Sequence, residues 1–195
     1  MGISNVSNGL RSGVCTSTTR PSAPYEGQMI YETDTDMVAL WNGSAWRYIA
    51  ATTPTNGSIL QVVVGSTSTQ VNSSSSTYID SGLTGTITPK SSSSKILVMV
   101  CQATYKNNGN SENRLNLRLL RDSTTLIGSF SGGLHLYNAS AINNSAYATV
   151  QYLDSPASTS ALTYKTQFMN PNNTAQVSCQ ADSATSSITL MEIAG

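Results

Sequence analysis

Within residues 113–120 the chain alternates from 114 to 119: Leu115, Leu117 and Leu119 take the odd positions, with Arg114, Asn116 and Arg118 at the even ones. Side chains of an extended strand point to opposite faces with a period of two. Such a segment is therefore a strand with one face buried and one facing water. The pattern recurs at 175–181, where Ala175, Val177, Cys179 and Ala181 oppose Gln176, Ser178 and Gln180. No segment carries an apolar period of 3.6 residues, so very little helix is expected. The fold class is all-β.

Turn chemistry divides the chain into short strands. Gln28–Thr33, Met37–Trp41 and Ala45–Ile49 are apolar runs separated by Thr33-Asp34-Thr35-Asp36 and by Asn42-Gly43. Asn-Gly between apolar runs is a strong hairpin signal, because both residues accept positive φ. Residues 25–50 read as a three-stranded meander, too small to be stable without neighbours. Before it, residues 1–24 are rich in Ser, Thr, Gly and Pro, and Arg20-Pro21-Ser22-Ala23-Pro24 is stiff and extended. That segment reads as a flexible tail or an arm that orders only against a partner. Residues 51–57 read as a linker of breakers and small polar residues. The expected domains are 1–57, an N-terminal arm, attachment meander and linker, and 58–195.

In the second domain the strand candidates are Ile59–Val64, Thr77–Asp80, Gly85–Thr88, Lys95–Tyr105, Asn113–Leu120, Thr125–Phe130, Ala146–Leu153, Leu162–Phe168, Ala175–Ala181 and Ser187–Ile193. Arg121-Asp122-Ser123-Thr124 closes a hairpin, and Ser73–Ser76 and Ser91–Ser94 read as exposed connections. Many short strands joined by hairpins, without crossover helices, predict a β-sandwich or jelly roll.

Composition narrows the function classes. Charged residues are only 10%, against roughly 25% in an ordinary soluble domain, while 38% hydrophobic residues suffice for a core. Ten basic and ten acidic residues balance, with no basic run to displace counterions, so nucleic-acid binding is not expected. Little long-range repulsion opposes association of copies. No signal peptide is read at Met1–Asn5, and apolar runs such as Ile96–Cys101 are too short to span a bilayer. The chain is read as made in a cytoplasm, with no membrane insertion and Asn138-Ala139-Ser140 a chance sequon. Cys101 and Cys179 resemble small buried hydrophobes more than a disulfide pair, and Cys15 lies in a polar segment.

Candidate chemistry is sparse. His135 is the single histidine, beside glycines and without a nucleophile motif or zinc-ligand spacing. Glu32, Asp34 and Asp36 have part of a calcium-loop spacing but lack its glycine and distal glutamate; Asp residues that start turns explain them better. Asp154 before Ser155-Pro156 reads as another turn former. No enzyme activity, cofactor or metal is expected. Tyr25, Tyr31, Trp41, Trp46 and Tyr48 cluster in the meander, where aromatic residues suit a small core and a subunit or partner interface. Tyr137, Tyr147 and Tyr152 are weaker candidates for stacking on a glycan.

Residues 20–47 read RPSAPYEGQMIYETDTDMVALWNGSAWR. This stretch resembles a short module common in phage structural proteins, with Arg-Pro-x-x-Pro, Gly-Gln-x-Ile-Tyr-Glu-Thr-Asp and Trp-Asn-Gly-x-x-Trp. Ile87–Val98, Tyr152–Pro156 and the ending Ile188–Ile193 resemble C-terminal domains of marine-phage (cyanophage-like) fibre and appendage proteins. Their layout is similar to trimeric jelly rolls of the C1q and tumour-necrosis-factor type. The resemblance implies a homotrimer packed around apolar strand faces, in a virion, with other capsid or tail proteins as partners of the N-terminal region. Without a shaft or heptads, the expectation is a short tail or head fibre, or a capsid decoration. The alternative is a tip protein that binds a host surface glycan or protein during adsorption.

Overall fold

The computed structural model describes residues 13–49, 54–130 and 141–195. His135, Tyr137 and the Asn138 sequon lie outside the described residues, as do 51–53 of the expected linker. The chain forms two units, Met1–Pro54 and Thr55–Gly195. The sequence division falls after residue 57, but Gly57 N–H bonds the Ala194 carbonyl at 2.7 Å, within the second unit.

The first unit is a four-stranded sheet of β1 (Gly13–Cys15), β2 (Met29–Glu32), β3 (Met37–Trp41) and β4 (Trp46–Tyr48), in that order. The three expected meander strands are β2 to β4. The arm is corrected: β1 pairs parallel with β2, so residues 13–24 order against the meander itself. Two polar contacts fix it. Asp34 accepts from Ser17 N at 2.8 Å and Ser17 Oγ at 2.5 Å, and the Arg20 Nε meets Glu32 Oε1 at 2.5 Å. At the second turn only Gly43 takes positive φ (91°), while Asn42 Oδ1 accepts from the Ser44 and Ala45 amides. Asn42 closes a four-residue connection through its side chain.

The second unit holds β5 (Ile59–Thr67), β6 (Val71–Ser73), β7 (Ile79–Ile87), β8 (Lys95–Lys106), β9 (Asn116–Arg121), β10 (Thr124–Phe130), β11 (Asn144–Asp154), β12 (Leu162–Met169), β13 (Val177–Cys179) and β14 (Ser186–Ile193). One sheet runs β10-β9-β12-β7. In the other, β5-β14-β8 continues to β11, and the short β13 and β6 extend the β14 side of β8. Taking the eight longer strands as 1 to 8 in chain order, the sheets run 1-8-3-6 and 2-7-4-5. This is a jelly roll, as the sequence predicts.

The inner faces of both sheets form the core. Leu83, Ile87, Ile96, Val98, Leu119, Tyr164, Ile188 and Leu190 make one cluster; Leu115, Leu117, Phe168, Val177 and Cys179 make another. Each such fully buried large side chain contributes about 1.5–3 kcal/mol. Between the clusters lies a buried polar layer. Thr166 Oγ1 donates to Gln102 Oε1 at 2.7 Å and lies 2.5 Å from Ser81 Oγ, while Gln102 Nε2 donates to Ser186 Oγ at 2.9 Å. Oriented to satisfy both its ends, the Gln180 amide accepts from Ser186 Oγ and donates to the Thr69 and Ser81 carbonyls.

Several sequence readings change here. Thr77–Asp80 and Gly85–Thr88 are one strand, β7, with a bulge at Gly82 (φ 82°) opposite Thr166. Ser178 and Gln180, expected to face water, are fully buried: Ser178 Oγ donates to Asn72 Oδ1 at 2.7 Å, and Gln180 adopts φ 56°, which turns it inward. Asp154 is not a turn former but a buried anchor, accepting from Arg121 Nη1 at 2.6 Å and Tyr164 Oη at 2.7 Å. Burial, and then the bond to Asp154, push the Tyr164 phenol pKa up. Ser73 ends β6, and Ser94 is buried.

Candidate functional site

Strand register decides what each outer face of the jelly roll presents. On β8, Ile96, Val98, Val100 and Gln102 are buried and face the core, so Leu97, Met99 and Cys101 occupy the outer face. Cross-strand partners share a face. Leu97 therefore stands in a row with Met191 of β14, Val62 of β5 and Leu153 of β11. The next row is Val64, Thr189, Met99 and Gln151, and Ile193 pairs with Ile59 at the end of the sheet.

This outer face is apolar and open. Ile59, Val62, Val64 and Leu153 are 60%, 50%, 63% and 50% exposed. They differ from scattered surface hydrophobics because register makes them contiguous with half-buried Leu97, Met99, Met191 and Ile193.

The outer face of the opposite sheet has the reverse character. Asp80, Thr84 and Thr86 of β7 lie beside Thr163, Lys165 and Gln167 of β12, and Arg118 of β9 follows. These groups bond one another. Lys165 Nζ reaches Asp80 Oδ1 at 3.0 Å, Gln167 Nε2 donates to the same oxygen at 2.6 Å, and Arg118 Nε donates to Gln167 Oε1 at 2.8 Å. Arg118 also stacks over the Tyr78 ring, 4.3 Å from its centroid. A face whose polar groups are already paired is at ease in water.

The aromatic residues read from the sequence as interface candidates stand on the first unit. Tyr25 is exposed, at 70%, and Trp41 and Trp46 meet at a tilt of 59° with centroids 5.5 Å apart. Tyr48 Oη donates to Glu32 Oε2 at 3.1 Å and accepts from Arg20 Nη2 at 3.0 Å; Tyr31 Oη donates to Asp36. Met29, Tyr31, Val38 and Leu40 share the face opposite buried Ile30 and Ala39.

The acidic triplet does not converge. Glu32 is fully buried and held by Arg20, Tyr48 and Thr35; Asp34 turns to Ser17, and Asp36 to Tyr31. The Arg20 guanidinium holds Glu32 below its ordinary carboxylate pKa, against burial that pushes it up. Among the described residues no group of three His, Cys, Asp or Glu side chains is placed to hold a metal ion. All three cysteines are free. Cys101 is half-buried on the outer face, contrary to its expected place in the core, whereas Cys179 is fully buried within.

Sequence reasoning missed the apolar outer face. Its strands are apolar on both sides over 59–64 and 96–101, so alternation could not say which side faces out. No family model matches the chain, and no curated protein is found to be similar to it.

Proposed function

We propose that this chain is a structural subunit of a tailed-phage virion: a short homotrimeric fibre or appendage protein on tail or head. The N-terminal unit attaches it to other virion proteins, and the jelly roll assembles and is displayed. The observation that carries assembly is the contrast between the two outer faces. The β5-β14-β8-β11 face exposes contiguous Val62, Val64, Leu97, Met191 and Leu153, while the other is a self-satisfied polar lattice. Covering the apolar face with copies of itself removes it from water, at about 25 cal/mol for each Å² buried, and near-zero net charge puts little repulsion against it. Threefold closure follows from the likeness in layout to C1q-type jelly rolls. Virion membership follows from the residue 20–47 pattern.

Two measurements test the halves separately. Light scattering of the full chain should give a trimer, and the double substitution Val64→Glu, Leu153→Glu should give a folded monomer. Thr84→Glu, Thr86→Glu on the opposite face should leave the trimer intact. A monomeric wild-type chain would refute assembly. Deleting residues 1–50 should leave a trimer that no longer enters particles; a truncated chain that still incorporates would refute the attachment role.

A further inference from the structure

One end of the β5-β14-β8-β11 face holds a recess of about 270 Å³ that the assembly argument does not use. Ser66, Ser187, Cys101 and Thr149, a row of small side chains, separate it from the apolar rows. The register explains the gap. Ala103 stands opposite Tyr147 and Ser145 opposite Tyr105, so two small residues lie on the diagonal between two tyrosines. The 3₁₀ turn Ala181–Ser183, which leads towards β14, contributes Ala181 and Asp182 to the lining.

We propose that this recess binds an organic ammonium group, of the quaternary kind carried by choline. The argument is electrostatic. Asp182 is the one charged residue of the lining, with no Lys or Arg beside it. Among the described residues its exposed carboxylate makes no side-chain hydrogen bond or ion pair and is left free for a ligand, unlike those of Asp80, Asp154 and Asp34. Lys106 follows Tyr105 in sequence but faces the opposite, inner side of β8, so it does not neutralise the recess. Tyr105 and Tyr147 both line the recess, and a phenol ring attracts a cation held within about 6 Å of its centroid. A methylated ammonium is only weakly hydrated, and the Ala103 and Ala181 methyls suit its apolar shell. A neutral sugar would gain stacking from Tyr147, which is 55% exposed, but nothing from an uncompensated charge.

Saturation-transfer NMR on the full-length protein tests this with three probes: choline, its neutral isostere 3,3-dimethylbutan-1-ol, and methyl α-glucopyranoside. Choline should bind, and the isostere and the glycoside should bind at least tenfold more weakly, the factor expected of a partly desolvated cation–π and charge contact. Asp182→Asn and Tyr147→Leu should each weaken choline about tenfold. Asp182 has φ 54°, which asparagine also tolerates, so the first variant keeps the turn. Tyr147→Leu alters an exposed strand residue and serves as the second check. Absence of choline binding, equal binding of the isostere or the glycoside, or full binding by Asp182→Asn would overturn the proposal.

Discussion

Gly65 of β5 and Thr84 of β7 meet where the two sheets of the jelly roll close on each other. A Cβ at position 65 would stand 2.9 Å from the Thr84 carbonyl carbon, inside the contact radius of its oxygen, and 3.0 Å from Ile188 Cγ2. Two of those three atoms are backbone and cannot swing away. Glycine is required here by space, not by torsion. Gly65→Ala is expected to force the strands apart and destabilise the fold by about 1–3 kcal/mol, the usual range for overpacking. Gly128→Ala, with open space around it, should stay within about 0.5 kcal/mol. Denaturant titrations at one fixed protein concentration compare the two, so that any association of copies enters both equally.

What the sequence made legible follows the same physics. Leu115, Leu117 and Leu119 alternate with polar residues, and all three are buried. Ser178 and Gln180 alternate just as regularly yet neither reaches water: Ser178, level with Tyr105, is buried and donates to Asn72 Oδ1, and a left-handed backbone at 180 turns Gln180 into the polar layer. Local pattern cannot see a buried hydrogen-bonding partner 84 residues away, such as that between Gln102 and Ser186. The sequence reads as two strands at 77–80 and 85–88, whereas the chain runs through as one and carries Gly82 as a bulge. The apolar outer face needed register: only pairing puts Val62, Met191, Leu97 and Leu153 in one row.

The Arg20–Glu32 pair controls the N-terminal unit. Glu32 has no exposed surface, so Arg20→Ala leaves its carboxylate without the paired cation and should destabilise the unit. Both tryptophans of the chain lie in this unit, so their emission reports on it alone. The pKa of Glu32 is depressed in the folded state, so its stabilising contribution is present above the ordinary value of 4.5 and fades as pH falls through the lower, folded value. Wild-type emission should hold at pH 4.5 and change only below it. Arg20→Ala should move the change to higher pH, because burial then acts on Glu32 without its cation.

Ser186 ties the polar layer together. Its Oγ accepts from Ala103 N and Gln102 Nε2, each at 2.9 Å, and donates to the Gln180 amide. Ser186→Ala leaves buried donors unsatisfied and is expected to cost about 1–3 kcal/mol by chemical denaturation. Thr189→Ala, on the outer side of the same strand, should cost under 1 kcal/mol. Equal losses at the two positions would mean that the layer adds nothing beyond its neighbours.

Cys101 and Cys179 face opposite sides of one sheet, so they cannot pair within a chain, and their reactivities should separate. Burial pushes the Cys179 thiol pKa up, and a thiol that does not ionise is a poor nucleophile. Cys101 borders the apolar rows, level with Ser187 and Thr149, and is half-buried in the isolated chain. In a Cys15→Ser background, maleimide should therefore modify one thiol of the Val64→Glu, Leu153→Glu monomer, at Cys101. On the proposed assembly, Cys101 of the chain without the two glutamate substitutions should react at least tenfold more slowly, because a neighbouring copy would cover it. Intact-mass spectrometry over a time course reads both rates. Equal rates in the two forms would place the contact between copies elsewhere than on this face.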